Sequence, residues 1–185
     1  MPERNPEALI CIDFQKEYYT EGGPLFVPDG EAVRKNAQRI LQAAREQGRL
    51  VVHVRHISQD PLSRTFRAGS PAVDFVPGLE PIEGEPVVTK LRPGAFYLTE
   101  LGDLLMRAGI ETVIICGLMS FMCCDTTARE ARARGYKVLF AKDATAAVDL
   151  GDIPAATVQQ VVCAIQEGFF SEVADTDRVI GLLNA

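Results

Sequence analysis

Basic runs, long apolar stretches and the cysteine spacing of a disulfide scaffold are all missing from this 185-residue chain. The formal net charge is −6 and Lys and Arg are scattered, which argues against a nucleic-acid or anionic-membrane partner. No apolar run approaches the roughly 20 residues needed to cross a bilayer. Residues Met1-Pro-Glu-Arg-Asn-Pro6 do not read as a signal peptide. Five cysteines are an odd number, so reduced thiols in a cytoplasmic protein are expected. Internal repeats, low-complexity tracts and linkers are absent too. A 47% hydrophobic content argues against disorder, and residues 1–185 are expected to fold as one domain.

What is present is an alternation of strand and helix patterns. Ala8 to Ile12 is an almost wholly apolar run, the mark of a central parallel strand, and it ends in Asp13. Val33, Ala37, Ile40, Leu41 and Ala44 then recur at helical spacing, with Asp29 as expected cap and Gly48 as stop. Leu50 to Val54 is β-branched and strand-like. Residues 57–85 have no period and several prolines, as functional loops do. Pro86 to Thr89 leads into Lys90. Leu101, Leu104, Leu105 and Ala108 mark a helix that Thr99 can cap. Thr112 to Cys116 is a fourth strand, and a helix through Arg134 follows Gly117. Lys137 to Ala141 is a fifth strand. A helix capped by Asp152, a short strand near Glu172 to Ala174 and a terminal helix complete the pattern. The class is α/β: a three-layer α/β/α arrangement around a six-stranded, mainly parallel sheet.

In such sheets ligands bind beyond the carboxyl ends of the strands. Asp13, Lys90 and the turn Gly117-Leu-Met-Ser-Phe-Met-Cys123 lie at those ends. A thiol in the first turn of a helix meets unpaired N–H groups and a positive dipole end, which favour thiolate. A carboxylate can take the thiol proton and return it to a leaving amine. A lysine nearby holds that carboxylate ionised and favours the thiolate. Taken one at a time, each residue has a blander role. A strand-end Asp is more often a helix cap, a Lys a solvated charge, and a Cys in a buried turn a small core residue.

Their order makes the combination specific. Asp13-Phe-Gln15 after a strand, Val88-Thr-Lys90, Ala95-Phe96, Gly117 with Cys123 six residues on, Thr127-Ala-Arg129, Gly135-Tyr136 and Asp143-Ala144 together resemble the isochorismatase-like cysteine hydrolases, from about Ala8 to Ala147. The resemblance implies a catalytic triad of Asp13, Lys90 and Cys123. It implies a cis peptide between Leu118 and Met119, and an oxyanion hole formed by the N–H groups of Met119 and Cys123. Phe14, Gln15, His53, Phe66, Phe96 and Phe121 become candidate pocket walls, and Arg64 and Arg67 candidate anion contacts. Cys124 stands where an aliphatic residue is usual and is expected to be buried. Met119 and Ser120 replace a small residue and Thr.

Nicotinamidases of that family bind a divalent metal through an Asp and His cluster. Here only His53 and His56 are available, and an i,i+3 pair on a strand points to opposite faces. No metal and no cofactor are expected. The resemblance implies a small-molecule substrate, most simply an amide or related C–N bond cleaved through a thioester, and a homo-oligomer. Two other readings stay open. One is the vinyl-ether hydrolysis of isochorismatases, with Asp13 as proton donor; those enzymes generally lack the cysteine. The other is a binding or scaffold role with little catalysis, which a measured Cys123 pKa at or above the ordinary thiol value together with no reaction toward iodoacetamide at neutral pH would favour.

Overall fold

The computed structural model describes residues 7–185, so the reading of Met1 to Pro6 lies outside the described residues. Six strands form one sheet in the order β3-β2-β1-β4-β5-β6, with every neighbouring pair parallel. They are β1 (Glu7–Ile12), β2 (Leu50–His56), β3 (Val87–Lys90), β4 (Thr112–Leu118), β5 (Lys137–Ala146) and β6 (Glu172–Ala174). Among the described residues four α-helices lie between strands, α1 (Gly30–Glu46), α2 (Leu101–Arg107), α3 (Asp125–Ala133) and α4 (Ala155–Ile165), and α5 (Thr176–Leu183) follows β6.

The apolar run of β1 is continuous because both sides of the sheet are covered. Leu9 and Cys11 face α1 and α5, packing with Val33, Ala37, Ile40, Leu41 and Val179. Ala8, Ile10 and Ile12 face the other way, toward Leu101 and Leu105 of α2, Ala128 and Ala131 of α3, and Val158 and Val162 of α4. Full burial of one such aliphatic side chain stabilises by about 1.5–3 kcal/mol. Strand order reverses between β1 and β4, which places a crevice over their carboxyl ends.

Four local expectations need correction. Asp29 precedes α1 but its side chain caps no N–H. The start of α4 is held by Asp149, whose Oδ1 accepts from Ala155 N–H at 2.8 Å, and not by Asp152. β5 runs on to Ala146 rather than ending at Ala141. A register shift after Ile115 lets Thr145 and Ala146 pair with Gly117 and Leu118, so the polar pair Lys142-Asp143 interrupts the apolar pattern without ending the strand. Between β4 and α3, residues Ser120–Cys124 form a π-helical turn, so Cys123 sits just ahead of α3 proper. Such wide turns are frequent at functional sites.

The long segment 57–85 is packed rather than loose. Phe66, Val73, Val76 and Leu79 are buried in the α1-side core. Gln15 bridges to Phe75, and Phe66 N–H donates to the buried Glu17 carboxylate at 2.8 Å.

Candidate active site

Asp13 follows β1 directly and adopts φ +53°, a left-handed conformation that Asp tolerates better than most residues. Its N–H still donates to Val54 O at 2.9 Å, so β2 fixes the carboxylate's position. Lys90 is the last residue of β3. Cys123 is delivered from the neighbouring strand by Gly117. There φ is +139°, and a Cβ would lie 2.1 Å from Ile12 O. Only glycine lets β4 pass that close to the carbonyl preceding Asp13. The next peptide, Leu118–Met119, is cis.

These elements bring the three residues together. Lys90 Nζ lies 2.8 Å from Asp13 Oδ2 and donates to Cys123 Sγ at 3.3 Å. Asp13 and Lys90 are fully buried and Cys123 is 5% exposed. His56 Nδ1, 3.4 Å away, is the ammonium's third neighbour. The three N–H bonds of one ammonium therefore each face an acceptor.

The charge state differs from what the sequence suggested. Burial, then the Asp13 charge, pushes the Cys123 thiol up to about 12, against a smaller lowering by Lys90. The resting group is a neutral thiol buried near the Asp13 carboxylate, not a thiolate. Burial alone would lower Lys90, but Asp13 and Cys123 outweigh it and keep the ammonium charged. The triad at rest thus reads thiol, carboxylate, ammonium. In that arrangement the carboxylate is free to accept the sulfur's proton.

Of the expected pocket residues, Phe66 packs on His56, the neighbour of Lys90. Its ring meets His56 edge-on at 4.9 Å and Tyr18 at 5.3 Å. Phe14 is in the α1-side core, and Phe121 is half-buried between the two cores. Three of the expected pocket residues have partners of their own. His53 is tied to Glu85 at 2.8 Å, and Glu85 to Arg45 of α1; a fully buried imidazole needs such a partner. Gln15 spends its whole amide on backbone: it accepts from His56 N–H and donates to His56 O and Val73 O. Phe96 stacks on Tyr136 beneath the Arg134 guanidinium, at the α3 side. Cys124 is fully buried, as its place one residue round the turn implied.

One neighbour, Tyr18, escaped the sequence reading, and His56 entered it without a partner. Tyr18, in a short 3₁₀ turn after β1, is buried in the neighbourhood of Cys123 and Asp13, and burial raises its phenol well above the ordinary value. His56 had a usable signal: it is the final residue of β2, at the carboxyl end where ligands bind. Ser120 is also buried at the turn, and its hydroxyl has no hydrogen-bond partner among the described residues. Among the described residues, no three His, Cys, Asp or Glu side chains converge as a metal-binding group. None of their helices is long and apolar enough to cross a membrane.

Residues 7–178 match the family model described as the isochorismatase domain. The chain belongs to the isochorismatase family. Family membership makes it a hydrolase. It is 36% identical over 157 residues to streptothricin hydrolase of Streptomyces noursei, covering 82% of this chain and 58% of that one. Maleamate amidohydrolase of Pseudomonas putida is 30% identical over 149 residues, covering 74% and 70%. A cysteine hydrolase from Pseudomonas syringae pv. phaseolicola superposes with a TM-score of 0.89 at 29% identity, covering 97% and 92%. The parallel six-stranded sheet and its flanking helices are the fold of these isochorismatase-type structures.

Proposed function

We propose that the protein hydrolyses a small amide or related C–N bond through a Cys123 thioester, using no cofactor. The observation that carries this reading is the buried contact of Cys123 with an ionised Asp13–Lys90 pair. The relatives maleamate amidohydrolase and N-carbamoylsarcosine amidase support the bond type.

The chemistry runs in two halves. The Cys123 sulfur attacks the substrate carbonyl carbon while its proton moves to Asp13; the S–C bond forms and the carbonyl pair moves onto oxygen. The N–H groups of Met119 and Cys123 are assigned to that oxyanion, a stabilisation worth about 2.7–4 kcal/mol per donor in comparable sites. Collapse breaks the C–N bond, and Asp13 returns the proton to the departing amine. Water then adds to the thioester with Asp13 again as base. The acid leaves, and the thiol regains its proton. Lys90 stays charged throughout and keeps Asp13 able to ionise inside a dry site.

The test is a panel of small amides, including maleamate, N-carbamoylsarcosine and nicotinamide, with Cys123→Ala in parallel. The native protein is expected to turn over at least one and to show a substrate-derived mass on Cys123 under acid quench. Undiminished turnover by Cys123→Ala would sink the thioester mechanism.

A further inference from the structure

His56 is a polar neighbour of Lys90 without a role in that scheme. Its setting is built on every side. Gln15 clamps its backbone from both directions, accepting from His56 N–H at 2.7 Å and donating to His56 O at 2.9 Å. Phe66 packs edge-on against the ring. Nδ1 is aimed at Lys90 Nζ. An ammonium has only donors, so Nδ1 must offer a lone pair and the ring proton must sit on Nε2.

We propose that His56 is the positioning residue of the site: its neutral imidazole accepts the third Lys90 N–H and so fixes the ammonium between Asp13 and Cys123. This rests on the hydrolase reading above. Without the acceptor, one N–H of a fully buried ammonium would have no partner, and the lysine would swing toward whatever acceptor it found. A displacement of this kind at a reacting centre costs up to about a hundredfold in rate.

The geometry carries a pH dependence. The charged groups facing His56 are Lys90 and Asp13 from the strand ends and Arg92 from the segment after β3. Burial first, then Lys90, lowers its pKa below the ordinary histidine value, against a raising effect from Asp13. The imidazole therefore stays neutral at pH 7. As pH falls through that lowered pKa, the ring gains a proton, can no longer accept from Lys90 and repels it. Activity falls with it.

Two measurements test this. The first is two-dimensional ¹H–¹⁵N NMR of the histidine rings in the native chain and in Lys90→Met. The native protein should show His56 as the Nε2–H tautomer at pH 7, and its pKa should rise when the lysine charge is removed. An Nδ1–H tautomer, or a pKa unmoved in Lys90→Met, would overturn the inference. The second compares His56→Leu with His56→Asn on the best amide of the panel. Leu should lower kcat by about tenfold to a hundredfold with KM changed by less than about threefold. Asn, which places an oxygen near the Nδ1 position and does not titrate, should restore most of kcat and remove the His56 part of the acid limb. Equal, native-like rates and pH profiles for both variants would refute it. A dead Cys123→Ala with an unaffected His56→Leu defeats only the His56 role. An active Cys123→Ala defeats the hydrolase mechanism and leaves the NMR result to judge the contact.

Discussion

Replacing Lys90 by Met should damage stability and catalysis through one cause. The ammonium and the Asp13 carboxylate are both fully buried and 2.8 Å apart. At an effective dielectric of about 20 their attraction is about 6 kcal/mol, most of it offset by the cost of taking two charges out of water. Removing one partner leaves that cost on the other. The expected loss is therefore about 3–5 kcal/mol, against a total stability of about 5–15 kcal/mol for an ordinary domain. Cys123 Sγ would lose its N–H donor at the same time, so catalysis fails with stability. Urea unfolding and amide hydrolysis should both fall. The double variant Asp13→Asn/Lys90→Met separates the two effects. With both charges gone, stability should return by at least about 2 kcal/mol, because an ion pair replaced as a unit is often nearly neutral. Activity should stay lost. Native-like stability in Lys90→Met, or simply additive losses in the double variant, would refute the claim that the pair is held as a unit.

Three further outcomes follow from the same geometry. Gly117→Ala forces a Cβ to 2.1 Å from Ile12 O at a φ that L-residues avoid, so urea unfolding should register a loss of about 3 kcal/mol or more. Glu85→Ala should cost about 1–3 kcal/mol by stripping His53 and Arg45 of their partner, with kcat within about threefold of native. Burial opposes ionisation of Glu85, but Arg45, Ile82 N–H and His53 outweigh it and hold the carboxyl at about 2. Its contribution is present above the unfolded carboxylate value and is lost as pH falls toward 2, so acid-unfolding curves of Glu85→Ala should flatten in that window. Finally, iodoacetamide should label Cys123 slowly at neutral pH, with a rate climbing about tenfold per pH unit from 7 to 10. A plateau below pH 9, read by mass spectrometry, would contradict the neutral resting thiol.

Much of the fold was readable from pattern. The apolar runs of β1, β4 and β5 and the helical spacing of α1 place the sheet and its layers. Grouping Asp13, Lys90 and Cys123 depended on the ordered motifs of the family resemblance, because each residue alone had a blander role. What escaped depends on three-dimensional pairing. A period of two puts His53 and His56 on opposite faces but does not say which face meets Lys90. Tyr18 comes near the sulfur from a short turn that has no periodic signature. The thiol's protonation follows from burial beside a carboxylate, and a helix-start argument misses both terms. Asp149 displaces Asp152 as the α4 cap because a turn at Leu150–Ile153 folds its side chain back onto Ala155 N–H.

The strand order has a consequence for how the protein acquires activity. Asp13 precedes α1, Lys90 ends β3 and Cys123 follows β4, so no two of the three lie in one local unit. Lys90 and Cys123 alone are 33 residues apart. Helices can form from nearby contacts, whereas this constellation exists only after the parallel pairings of β1 with β2, β2 with β3 and β1 with β4 are complete. Such nonlocal closures are the slow part of folding. During refolding, helical signal should return first and turnover last, which makes hydrolysis a clock for the closing of the sheet.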